Sequence, residues 1–173
     1  EGARPLASGA GAVAAFGQAR REWHLLMASA LVGMAAATLD LGVDHARDRI
    51  AFGVPIGSFQ AVAHPLVDVA TAVEGARRLV RKAAWFEDVE PHARPELVPM
   101  AYRQAEHAAQ LGARVAVHVL GGVGFTVESD AQLYFRRAKG WTLVAGDPEA
   151  RLDDVADHLY GPRATTTPTG GDA

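Results

Sequence analysis

The side chains able to do chemistry here are chiefly histidines, one serine and a cluster of glycines. His24, His45, His64, His92, His107, His118 and His158 never fall at the i, i+4 spacing that sets two imidazoles on one helix face around a zinc ion. No cysteine accompanies them, so thiolate metal sites, disulfides and cysteine nucleophiles are excluded and no metal centre is expected. Ser58 lies in Gly57-Ser58-Phe59, which lacks the second glycine of a nucleophile elbow; its expected role is to cap a helix. Gly121-Gly122-Val123-Gly124 follows an apolar run, as a dinucleotide-binding loop does, but Val127 occupies the place of the next required glycine. The glycine pair then reads as a helix stop.

The charge balance narrows the partners. With 17 Lys+Arg against 20 Asp+Glu spread along 173 residues, there is no basic face to neutralise phosphates, and nucleic-acid binding is not expected. The longest mostly apolar run, 25–37, is shorter than the ~20 residues that cross a bilayer, so no membrane insertion is expected. The absence of Cys fits the reducing cytoplasm, which is the expected location, and any redox chemistry requires a cofactor. The chain begins at Glu1 with no Met, which suits either a piece of a longer protein or a naturally short subunit.

The elements that would position these residues are helical. Residues 1–20 are rich in Gly and Ala without a period and read as a lead-in; residues 161–173 read as a disordered polar tail. Across 21–49, Leu25, Ala28, Val32, Ala35, Leu39, Val43 and Ala46 recur at three- and four-residue steps, predicting a long central helix. A second helix is predicted from Ser58 to about Trp85 on Leu66, Val69, Val73, Ala76, Val80 and Ala83. A third runs from about Pro99 to Gly121 with Ala101, Ala105, Ala108, Ala109 and Ala116 inward, and a fourth covers 128–139. Asp147-Pro148-Glu149 opens a last one, with a cap, a proline at the first position and an acid in the first turn. No hairpin signal is evident, and the expected fold is an all-α, antiparallel bundle of four to five helices over 21–160.

The segment Arg49-Ile50-Ala51-Phe52-Gly53-Val54-Pro55-Ile56, followed by Phe59-Gln60, resembles the R-x-x-F-G-x-P-I-x-x-F-Q signature of the acyl-CoA dehydrogenase family. His64-Pro65-Leu66-Val67-Asp68, His118-Val119-Leu120-Gly121-Gly122-Val123-Gly124-Phe125, Glu128 and Arg136-Arg137-Ala138-Lys139 follow in that family's order. The match corresponds to the family's C-terminal helical domain alone. The resemblance implies FAD as cofactor, shared between subunits, with Arg49, Phe52 and Gln60 on one flavin and His118 and Gly122 on that of a neighbouring protomer. It also implies a homo- or hetero-oligomer, dimer or tetramer, and an electron-transfer flavoprotein as partner of the full enzyme. The residue types are chemically suited to those roles, since Arg offers a forked cation to pyrophosphate, Gln both donates and accepts, and Gly admits a diphosphate to the backbone.

One departure bears on activity. Family members abstract the proton α to the thioester with a Glu just before the last helix, and Ala145 stands at that place in Val144-Ala145-Gly146-Asp147. Some relatives carry the Glu near the start of the first long helix; Glu22 is close to it, but Trp23 aligns with it, and one residue turns a helix by about 100°. Loss of a general base forfeits about 10²–10⁴ in rate. The resemblance thus implies the C-terminal domain of an FAD-dependent α,β-desaturase of acyl-CoA thioesters, with the isolated chain inactive and retaining no flavin. The other readings are a non-catalytic partner subunit of a heteromeric flavoenzyme and a domain of a flavin monooxygenase on the same fold.

Overall fold

The computed structural model describes residues 4–91 and 93–162. Five helices carry nearly all of it: α1 (Gly9–Asp48), α2 (Gln60–Val89), α3 (Leu97–Leu120), α4 (Asp130–Val144) and α5 (Pro148–Tyr160). This is the all-α architecture that the three- and four-residue apolar periods predict. The expected tail from residue 163 onward lies outside the described residues, as does His92.

α3 is the hub, packing most extensively on α1 and then on α2, with α4 and α5 laid against it. Small side chains make this possible. Ala101, Ala105, Ala108, Ala109, Ala113 and Ala116 are all buried, so the backbones of α1 and α2 approach α3 closely. The α2 stripe from Leu66 to Ala83 is buried as its period predicts. By length and composition α1 and the segment Leu97–Phe125 are apolar enough to cross a membrane, which corrects the reading based on 25–37 alone. In this structure both are core helices, and the apolar residues they bury face each other and α2.

Four local features depart from expectation. α1 starts at Gly9, so most of the Gly/Ala-rich stretch read as a lead-in is helical; alanine needs no apolar period to hold a helix. α2 and α4 run on to Val89 and Val144, past Trp85 and Lys139. Ser58 does not cap α2: its hydroxyl donates to the Pro55 carbonyl at 2.7 Å within a 3-10 turn, Ile56–Ser58, and Phe59 stands at the cap position. The fourth is a two-stranded hairpin, β1 (Ile50–Ala51) and β2 (Val54–Pro55), between α1 and that turn. Phe52 and Gly53 form its tip with φ of 53° and 82°, the paired positive angles of a type I′ turn.

Other ends form as predicted. Asp147 Oδ1 accepts from the Glu149 amide at 3.0 Å and caps α5. Gly121, at φ 64°, closes α3 with its amide donating to the His118 and Val117 carbonyls.

Candidate functional site

The hairpin gathers three of the residues singled out in the sequence at one end of the bundle. Arg49 ends α1, and its carbonyl accepts from the Ile56 amide at 2.8 Å, which closes the hairpin back onto the helix. Phe52, 95% exposed at the tip, meets the ring of Phe59 edge-on at 6.2 Å between centroids. Gln60 follows Phe59 as the exposed first residue of α2. An aromatic held at positive φ and almost fully in solvent is costly in both backbone strain and hydration. That cost is consistent with a ring placed for a partner rather than for the core.

Arg49 also borders a groove of about 450 Å³, opposite the turn that ends α3. His45 and Ile56 lie on its near side, Gly121 and Gly122 on its far side. The structure thus brings Arg49 and Gly122, which the resemblance assigns to two different flavins, to one groove, whereas His118 is exposed on the last turn of α3 and does not line it. Arg49 has no ion-pair partner among the described residues. A Cβ added at Gly121 or Gly122 would meet nothing within 4 Å, so the backbone there is open to a ligand. The Gly121 amide is spent on the α3 cap, so the attraction for a pyrophosphate, the group through which FAD would be held, falls to the uncompensated Arg49 guanidinium, and the glycines contribute open space.

A second pocket, of about 360 Å³, lies between the start of α1 and the end of α4. Trp23 and Ala145 both line it, together with Phe16, Ala19 and Val144. The two places where the sequence looked for a proton-accepting carboxylate therefore meet at one pocket, and neither bears one. Glu22 does not line it; exposed on α1, it accepts from the Gln18 amide at 3.1 Å. The 100° step from Trp23 accounts for this.

Under this pocket lies an ion pair that the sequence reading missed. Arg151 of α5 donates to both carboxylate oxygens of Glu106 of α3, at 2.9 and 3.0 Å, with both residues buried. The guanidinium also stacks over Tyr102 at 4.8 Å and donates to the Ala145 carbonyl at 3.1 Å. It thereby fixes the turn that carries Ala145. A signal existed in the sequence: Glu106 stands beside Ala105 and one turn from Tyr102 and Ala109 on the apolar face of α3.

His24 lines the pocket beside Trp23 and packs on Tyr102 at 5.0 Å between centroids. Burial, then Arg20 and Arg151, hold its imidazole below the ordinary value, against an upward pull from Asp154. The native state then binds fewer protons than the unfolded chain below pH about 6.5, so stability rises with pH there. What His24 contributes is complete above that pH and is lost as pH falls through its lower native value. Urea unfolding at steps between pH 5 and 7.5 should show the acid-side loss shrink in His24→Phe; an unchanged slope would assign it to other groups.

Among the described residues no group of three or more His, Asp or Glu is placed to hold a metal ion. Comparison with known proteins is consistent along the chain. The family model "Acyl-CoA dehydrogenase, C-terminal domain" matches residues 12–160. Acyl-CoA dehydrogenase IpdE2 of Mycolicibacterium smegmatis is 38% identical over 138 residues, 79% of this chain and 42% of that protein. Among solved structures, a glutaryl-coenzyme A dehydrogenase in complex with glutaryl-CoA superposes with a TM-score of 0.80 at 30% identity, covering 84% of this chain and 37% of that one. The ChsE4-ChsE5 complex from Mycobacterium tuberculosis gives 0.77 at 30% identity, covering 84% and 39%. The chain thus spans about two fifths of the length of these relatives.

Proposed function

Because the chain belongs to the acyl-CoA dehydrogenase family, as its C-terminal helical domain, we propose that it holds FAD and builds the subunit interface of an enzyme that desaturates acyl-CoA thioesters. FAD, when bound, supplies the two-electron acceptor for α,β-desaturation. The chain's own residues hold and orient it. Arg49 offers its fork to the pyrophosphate, Gln60 donates and accepts at the flavin edge, and Phe52 covers it; because Gly122 shares Arg49's groove and His118 does not, Gly122 is reassigned to this same diphosphate, which its missing side chain leaves room for. His118, on the last turn of α3, is assigned to the neighbouring protomer's dinucleotide. Electrons would leave to an electron-transfer flavoprotein.

The observation that carries this reading is Arg49, without an ion-pair partner among the described residues, sharing one groove with the open Gly121-Gly122 turn. The exposed apolar side chains at this end, Ile50, Phe52, Val123, Phe125 and Val127, support burial against another subunit. In the full-length protein, Arg49→Gln is expected to weaken FAD about 10–100-fold, the worth of a charge-assisted hydrogen bond. Flavin released per protomer, measured across a range of added FAD, checks this; an unchanged occupancy curve would remove Arg49 from the site.

A second reading rests on the apolar pocket where Trp23 and Ala145 meet: the chain is the non-catalytic partner of a heteromeric flavoenzyme. With no carboxylate there, proton abstraction from the α-carbon falls to another chain. On this reading the chain alone reduces no artificial acceptor with any acyl-CoA and purifies without yellow colour. Turnover by the pure chain would reject it.

A further inference from the structure

The pocket between α1 and α4 carries a charge that a plain acyl chain has no use for. Arg20 borders it, exposed, and has no ion-pair partner among the described residues, whereas its neighbour Arg21 holds Glu87 at 3.3 Å. Asp154 shares with Arg20 the adjoining groove between α1 and α5, yet no ion pair joins them within 4 Å. Glu22 faces away to Gln18. The rest of the lining is apolar, Phe16, Ala19, Trp23, Val144 and Ala145, apart from His24, whose charged form burial disfavours. At about 360 Å³ the pocket falls in the lower range of ligand sites, which run ~300–1,000 Å³.

We propose that this pocket selects acyl groups that themselves carry a carboxylate, the hydrocarbon body lying on Phe16 and Trp23 and the carboxylate pairing with Arg20. The inference rests on the proposed desaturation of acyl-CoA thioesters, since Ala145, the position where the family's base meets the thioester's α-carbon, lines this pocket, and it adds the class of acyl group. Closing a ligand over the apolar wall strips water from one side of the guanidinium. A methylene chain returns nothing for that loss, while a carboxylate returns a forked, charge-assisted pair. A neutral His24 leaves Arg20 the one full positive charge on the lining and hence the group that fixes the carboxylate's position.

Calorimetric titration of the purified chain at pH 7.5 with octanoate and octanamide separates charge from hydrocarbon body. Octanoate should bind about tenfold more tightly than octanamide, the worth of a hydrogen bond to a charged group. Arg20→Gln, an exposed position, should remove that preference and leave octanamide unchanged. Ala19→Trp, also exposed, should fill the pocket and abolish both. Equal binding of the two probes to the unaltered chain, or a preference for octanoate that survives Arg20→Gln, would overturn the carboxylate specificity while leaving an acyl pocket in place. Binding of neither probe would overturn the pocket itself, and the flavin occupancy of Arg49→Gln in the full-length protein would still decide the FAD-holding reading on its own.

Discussion

Replacing Arg151 with Met is expected to cost about 3–5 kcal/mol, because it leaves the Glu106 carboxylate buried with no equal partner. Arg103 approaches Glu106 only at 3.6 Å from a partly exposed position on the same helix and cannot supply the paired geometry. The same substitution removes the bond to the Ala145 carbonyl and the stacking over Tyr102, so α5 and the turn before it should loosen together. In a domain of this size the melting temperature should fall by roughly 10 °C or more. The pair itself is a poor source of net stability, since two ions have been taken out of water and Arg151 Nε is buried without a partner among the described residues. Joint replacement, Arg151→Met with Glu106→Leu, should therefore recover most of the loss. Urea midpoints for the two single variants and the double one check both statements. A double variant as unstable as Arg151→Met would mean that the pair is needed for more than neutralising itself.

The helices were legible because each buries one stripe, and a stripe at three- and four-residue steps is visible in one dimension. The stripe from Leu66 to Ala83 and the alanines of α3 are read directly from spacing, as is the Asp147 cap, whose partners are adjacent in the chain. The hairpin was not legible for a definite reason. Two-residue type I′ turns are signalled by Asn, Asp or Gly at both central positions, and here the first is Phe52. Only the surroundings impose that angle, through the Ile56 amide bonded to the Arg49 carbonyl and the packing of Phe52 on Phe59. Ser58 failed as a cap for a related reason, its hydroxyl having a nearer acceptor behind it in the 3-10 turn.

The candidate site divides in the same way. The family signature names Arg49, Phe52 and Gln60, which stand close in sequence and are held at one corner by the hairpin. Proximity across the fold is another matter. Arg49 and Gly122 are separated by a whole helical hairpin and meet only because α3 lies along α1 and ends where α1 ends. Trp23 and Ala145 meet at the other end of the same pair of helices, where α4 returns the chain to the start of α1. Periodicity states which face of each helix is inward; it does not state which two ends face each other. The buried Glu106–Arg151 pair belongs to that second kind of information.

The close approach that brings those ends together predicts a second large effect, at Gly112. A Cβ there would lie 2.5 Å from Thr38 Oγ1, 3.3 Å from the Ala35 carbonyl oxygen and 3.4 Å from Val69 Cγ1, so α1, α2 and α3 all crowd one hydrogen atom. Thr38 is fully buried and its hydroxyl donates to the Ala35 carbonyl at 2.8 Å. Gly112→Ala must push that hydroxyl off its acceptor or spread the helices. Overpacking costs about 1–3 kcal/mol and an unsatisfied buried hydroxyl about 1–3 more, against up to about 1 regained in helix propensity. The expected net loss is about 1–5 kcal/mol. Thr38→Ala removes the obstructing oxygen and should cost less alone. Together the two substitutions should be more stable than Gly112→Ala by itself, a coupling of opposite sign to simple addition. Chemical denaturation of the four proteins of this cycle measures it. Strict additivity would place the strain of Gly112→Ala on the Ala35 carbonyl instead, and would make the backbone of α1, rather than the Thr38 side chain, the limit on how closely α3 can pack.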